Sequence, residues 1–175
     1  MTRDLAERFN ARYGATFTVP TATFPTSAAR VMDLQDPTAK MSKSAASTAG
    51  TVLLLDEPKA IERKIKRAVT DNDGEVRFDV AAKPGVSNLL SILGACTGRR
   101  PEDAALGYEQ YGPLKADTAE AVVALLAPIQ ARFRELEADP AETLRLLAIG
   151  ADKASERAAA TLARARDALG LLGRG

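Results

Sequence analysis

Lys40-Met41-Ser42-Lys43-Ser44 places two ammonium groups and two hydroxyls in one short stretch, inside a run of small residues from Gln35 to Gly50. A loop of that make-up can fold over a polyphosphate. Its lysines offset the charge that builds up as pyrophosphate leaves, and its hydroxyls and backbone N–H groups add hydrogen bonds. On chemistry alone, most Lys/Ser loops are solvated linkers, so the neighbouring residues must decide between the two.

A second concentration of charge lies at Lys59, Arg63, Lys64, Lys66 and Arg67, opposed within that stretch only by Glu62. Ile61 and Ile65 mark the inward side of a helix there, which spreads the basic side chains over its exposed arc. Such an arc either touches the phosphates of RNA or is a solvated helix face. Tyr108 and Tyr111 can stack on bases or pack between helices.

Other chemistries are closed. The chain has no histidine, which removes Ser-His-Asp and Cys-His nucleophile systems and imidazole metal ligands. A single cysteine, Cys96, excludes an internal disulfide and a Cys-cluster metal site; it reads as a small buried hydrophobe. The acidic residues lack metal-ligand spacing, so no metal site is assigned. Lys+Arg number 24 against 23 Asp+Glu, and a net charge of +1 argues against nucleic-acid binding by bulk charge. The N-terminus lacks the apolar core of a signal peptide, and the longest aliphatic run, Val52–Leu55, is far too short to span a membrane. A reduced, cytoplasmic setting is the expectation, with no membrane partner.

The elements that must hold these residues follow from spacing. Thr2 can cap a first helix with Leu5, Phe9 and Tyr13 on one face, stopped at Gly14. Phe17, Val19 and Phe24 fall in short extended pieces broken by Pro20 and Pro25, and Arg30–Leu34 reads as a short strand. Asp56 can cap a helix with Pro58 in its first turn and Ile61, Ile65 and Val69 inward. After a turn at Asp71–Gly74 and a short stretch near Val76–Val80, a helix opens near Pro84 with Val86, Leu89, Leu90 and Leu93 as its apolar face. Another runs from Pro101 to about Tyr111. A long helix covers roughly 115–138, with Val122, Leu125, Leu126, Ile129, Phe133 and Leu136 inward and a kink at Pro128. The last stretch, from about Pro140 to Leu169, carries Gly150 as a point of interruption. The fold class expected is mostly α: the residual edge of an α/β unit over 1–55, followed by an all-α helical bundle over 56–175.

The five-residue string is the KMSKS signature of class I aminoacyl-tRNA synthetases, and its setting between a strand and a helical region is the one that family uses. The flanks, Arg30–Ala39, Leu54–Lys59, Ile61–Ile65, Ala68–Asp71, Lys83–Leu90 and Thr2–Asn10, resemble the bacterial-type tryptophanyl branch of that family, specifically its C-terminal half. The resemblance implies that Lys43 contacts the ATP phosphates and stabilises the leaving pyrophosphate, acting as the catalytic residue. Lys40, Met41, Ser42 and Ser44 complete the ATP loop, and Val31 holds the adenosine part while also serving as a buried strand residue. Met41 either packs the loop or touches adenine. The family usually has Asp directly after the signature; here Ala45 and Ala46 stand there, which bears on loop geometry.

The resemblance further implies that 1–55 is the end of a Rossmann-like catalytic domain and 56–175 an anticodon-binding region, with Lys59, Arg63, Lys64, Lys66 and Arg67 toward tRNA. Its substrates would be ATP with Mg²⁺, tryptophan and the tRNA for tryptophan, and the family works as a homodimer. A motif of the type His-Ile-Gly-His or Thr-Ile-Gly-Asn, which completes the ATP site in that family, is not found. The expectation is a chain inactive in tryptophan activation by itself. Three explanations stand: a fragment, one piece of an enzyme completed by an N-terminal half, or a non-catalytic helical tRNA-binding module.

Overall fold

The computed structural model describes residues 1–24, 29–45 and 47–171; Pro25 and Ala46 lie outside them. Six helices occur among the described residues: α1 (Thr2–Tyr13), α2 (Pro58–Lys66), α3 (Pro84–Thr97), α4 (Pro101–Ala105), α5 (Tyr111–Ala138) and α6 (Pro140–Ala168). The fold is mostly α, as the spacing predicts.

The chain divides into two compact units. One comprises Met1–Thr23 with Glu135–Gly175, and the other Phe24–Arg134. In the first, Gly14 ends α1 at φ 88°, a value glycine tolerates, and its N–H returns to the Asn10 carbonyl. The Asn10 side chain then fastens the next turn: it accepts from the N–H groups of Thr16 and Phe17 and donates to the Phe17 carbonyl at 2.7 Å. Phe9 meets Phe17 edge-on, centroids 4.7 Å apart. Leu5 and Tyr13, expected inward, are exposed, and Ala6 is the residue of α1 that is buried. Thr2 makes no capping hydrogen bond; it is already helical. At the far end, Asp139 caps α6 by accepting from Glu142 N–H, and α6 runs through Gly150 without a break.

The second unit holds the core. Ile61 and Ile65 of α2, Val86, Leu89, Leu90 and Leu93 of α3, and Leu114, Val122 and Leu126 of α5 are buried together with Leu34. Each such side chain contributes roughly 1.5–3 kcal/mol on leaving water. Proline opens α2, α3 and α4, where its missing N–H costs nothing. Other expectations change. Val69 is 45 % exposed, because the helix ends at Lys66. Asp56 does not cap α2; its carboxylate is taken by the Leu53 N–H and by Lys64. The helix from Pro101 closes at Ala105 rather than near Tyr111, and α5 begins at Tyr111.

The Arg30–Leu34 strand is also corrected. Among the described residues the sole β pairing is one antiparallel bridge between Met32 and Lys40. The backbone there is satisfied by scattered partners instead of a ladder. Val31 C=O accepts from Met41 N–H, Asp33 N–H donates to Ala39, Leu34 N–H to Gly50, and Leu34 C=O accepts from Val69 N–H at 2.7 Å. Buried backbone groups must be paired, and here distinct segments do it one bond at a time. Gly85 lets α3 come this close: a Cβ there would fall 2.1 Å from the Val69 carbonyl oxygen.

Candidate functional site

The arm Val31–Asp33 and the arm Ala39–Met41 form a short hairpin that carries the signature. Two aspartates shape its turn. Asp33 accepts from the N–H groups of Gln35 and Asp36, and Asp36 accepts from the Thr38 hydroxyl at 2.6 Å and the Thr38 N–H. The Thr38 hydroxyl bond holds the Asp36 carboxyl below the ordinary carboxylate range. From α3, the Asn88 side chain accepts from Met32 N–H and donates to Met32 C=O, both at 2.9 Å. It stands where a neighbouring strand would otherwise pair.

Beyond Met41 the chain turns tightly. Ala45 N–H donates to the Ser42 carbonyl, and the hydroxyls of Ser42 and Ser44 are 3.0 Å apart. The turn thus closes through backbone and serines, with Ala45 contributing its N–H. The return segment is fixed from three sides. Thr51, itself buried, donates its hydroxyl to Ser42 C=O; Lys64 donates to Thr51 C=O at 2.8 Å and pairs with Asp56 at 2.6 Å; Gln130 of α5 donates to the carbonyls of Leu54 and Asp56.

Between these walls lies an open cleft of about 740 Å³. Val31, Lys40, Met41 and Lys43 line it together with Leu53, Leu54, Leu55, Ile129 and Phe133. Ile129 and Phe133, expected in the core with Leu125, are 48 % and 42 % exposed. They add apolar surface to the cleft that Lys40 and Lys43 also line. A cleft lined mostly by apolar side chains with two lysines among them suits a ligand with a flat apolar body and a multiply charged tail. Four of the six residues expected at ATP come together here; Ser42 and Ser44 shape the turn without lining the cleft. Met41 also borders a smaller apolar cavity of about 210 Å³ with Cys96 and Val122, which fits both packing and ligand contact. Burial raises the Cys96 thiol pKa, so this cysteine stays protonated.

The basic helix is not uniform. Lys59, Arg63, Lys66 and Arg67 are exposed, whereas the Lys64 side chain is 14 % exposed and committed to Asp56 and Thr51. It leaves the outward arc because its ammonium has two internal acceptors. Tyr108 and Tyr111 pack against the core. Burial and a hydrogen bond to Asp117 push the Tyr108 phenol up to about 12.

Lys83, 1 % exposed, reaches Asp71, Asp73 and Tyr111. This network ties the start of α3 to the 71–74 turn and the start of α5. Nothing in the spacing singles out Asn88, Thr51, Gln130 or Phe133 as parts of the site. Their roles come from contacts between distant segments.

With the geometry in place, the comparisons agree on one family. The model for class I tRNA synthetases of the W and Y type matches residues 1–127. A tryptophan–tRNA ligase from Corynebacterium efficiens is 51% identical over 174 residues, 98% of this chain and 50% of that protein. One from Leifsonia xyli subsp. xyli is 55% identical, covering 98% of this chain and 52% of that protein. Among solved structures, tryptophanyl-tRNA synthetase from Mycoplasma pneumoniae superposes with a TM-score of 0.86 at 31% identity, over 97% of this chain and 52% of that one. The Campylobacter jejuni tryptophanyl-tRNA synthetase complexed with ADP and tryptophan gives 0.59 at 26% identity, with the same coverage. The chain spans about half the length of the relatives it matches.

Proposed function

The chain belongs to the class I tRNA synthetases of the tryptophan and tyrosine type, and on that premise we propose that it supplies the ATP-loop and tRNA-binding half, the C-terminal one, of a tryptophan–tRNA ligase. The reaction is activation of tryptophan by ATP, with pyrophosphate leaving, followed by esterification of the tRNA for tryptophan. The observation that carries this reading is the cleft that Lys40 and Lys43 line together with Val31, Met41 and apolar side chains. In it Val31 and Met41 take the adenosine part, and Lys43 neutralises the departing pyrophosphate. Mg²⁺ arrives on the ATP phosphates, with no protein cage of its own. The binding of ADP and tryptophan by the Campylobacter relative supports the same ligand classes.

In this reading residues 1–55 serve the nucleotide and residues 56–175 the tRNA, with Lys59, Arg63, Lys66 and Arg67 presented to RNA. A second copy of the subunit and an N-terminal complementing part are its partners in a cytoplasmic enzyme. Titration with ATP, with Lys43→Ala as control, tests the site. The expected loss is about 10- to 100-fold in affinity, the worth of a charge-assisted hydrogen bond. Tryptophan-dependent pyrophosphate–ATP exchange should be absent with the chain alone, should appear when a relative's N-terminal half is added, and should fall again with Lys43→Ala. RNA binding without any ATP binding would favour the non-catalytic helical module instead.

A further inference from the structure

A second cavity, about 450 Å³, opens beside the segment that follows the signature and shares no lining residue with the ATP cleft. Gln35, Ser47, Thr48, Arg63, Lys64 and Arg67 line it, and no carboxylate does. Lys64 is already paired with Asp56. Arg63 and Arg67 sit one turn apart, exposed, and among the described residues neither is joined to a carboxylate. Two like charges at that spacing repel each other. The C-terminal end of a helix favours cations, but that accounts for charge near the helix end and not for a surrounding cavity of amide and hydroxyl groups.

The remaining groups are an amide and two hydroxyls. Gln35 is held by its bond from Nε2 to the Arg67 carbonyl at 2.9 Å. The Ser47 oxygen accepts from Ala49 N–H, which leaves its hydroxyl proton available to donate, and Thr48 brings a second hydroxyl. Two guanidinium forks with hydroxyl donors and no acid match the oxygens of a phosphodiester.

We propose that Arg63, Arg67, Gln35, Ser47 and Thr48 form a seat for a backbone phosphate of an RNA strand. The inference rests on the tRNA reading above and narrows it from a basic helix face to one cavity. The seat abuts the signature loop: Thr48 C=O accepts from Thr51 N–H, and the Thr51 hydroxyl donates to Ser42 C=O. A phosphate bound there therefore bears on the back of the ATP loop.

The test uses the whole chain, titrated with a single-stranded RNA oligonucleotide and, separately, with inorganic phosphate, while amide resonances are followed. The expected result is RNA-dependent movement of the Ser47 and Thr48 amides at concentrations where inorganic phosphate moves neither. Arg63→Gln with Arg67→Gln should weaken RNA binding at least about tenfold. Lys59→Gln with Lys66→Gln, which removes the same charge from the same helix, should weaken it less than about threefold. Arg63→Lys with Arg67→Lys, which keeps charge but not the forks, should fall between. Equal losses in the two Gln pairs would show an undifferentiated positive surface and overturn the seat, as would unmoved Ser47 and Thr48 amides or equal affinity for inorganic phosphate. ATP binding measured on the parent chain separates the two readings: ATP bound without any RNA binding strikes the seat, and absent ATP binding with RNA seated strikes the function proposed for the cleft.

Discussion

At the scale of single residues, the site depends on side chains that stand in for absent secondary structure. Asn88 is 5 % exposed and gives Met32 both hydrogen bonds of a strand partner. Asn88→Leu keeps the branched shape and leaves the half-buried Met32 N–H and C=O without these partners, at a cost of about 2–4 kcal/mol. Urea unfolding should show that loss as a lower midpoint. ATP affinity should drop as well, since Met32 is bridged to Lys40; an unfolding midpoint equal to that of the parent chain would remove this role. Gln130 acts in the same manner on Leu54 and Asp56 from α5. These residues were not legible in the sequence, for a physical reason. An asparagine or glutamine reads as a surface residue until the distant carbonyl it serves is known. The lysines of the signature were legible through the exact five-residue string and its flanks, since on chemistry alone most Lys/Ser loops are solvated linkers. Lys64 shows the limit of that reasoning: its charge is plain in the sequence, but its direction depends on Asp56 and Thr51.

At the scale of elements, helix starts were readable wherever proline marks them, as at Pro58, Pro84, Pro101 and Pro140, whereas the cap expected of Asp56 is not made. Strands were not, because β-branched spacing becomes a strand only beside a partner. Here the partners are one hairpin arm and an asparagine. The inward face of α5 was half right: Val122 and Leu126 are buried, while Leu125, Ile129 and Phe133 stay partly open and two of them face the cleft. Two glycines separate packing from propensity. Gly85 lies against the Val69 carbonyl, so Gly85→Ala forces a backbone shift and should destabilise by about 1–3 kcal/mol. Gly150 is helical, with open space where a Cβ would go, so Gly150→Ala should stabilise by about 0.5–1 kcal/mol. Thermal unfolding followed by circular dichroism reads both. Shifts of the same sign in the two variants would contradict the assignment of one glycine to close approach and the other to no contact.

At the scale of the whole molecule, the net charge of +1 conceals charges with fixed partners, and pH is the variable that reveals them. Burial pushes the Asp71 carboxyl up, but hydrogen bonds from Lys83 and Tyr111 outweigh it and hold it below its ordinary value. The Lys83 bond holds Asp73 lower still. Burial disfavours the charged Lys83 ammonium, yet its bonds to Asp71, Asp73 and Tyr111 overcome this and raise its pKa. The signs follow by linkage. The unfolded carboxylates, near pH 3.9, bind protons more tightly than the folded ones. Their contribution is therefore fully present above about pH 4 and is lost as pH falls toward the depressed folded values. Lys83 works in the opposite direction: its contribution is complete below about pH 10 and is lost as pH rises toward its raised value. The network joins the 71–74 turn to the starts of α3 and α5 around the main core, so its loss should register in global unfolding. Unfolding midpoints measured from pH 7 down to pH 2 should fall below about pH 4 in the parent chain. Asp71→Asn with Asp73→Asn should be less stable at pH 7 and should show a shallower fall over the same acid range. A parent and variant with parallel profiles would place the acid sensitivity elsewhere, in a carboxylate such as Asp103, which its hydrogen bond from Arg100 holds below the ordinary range.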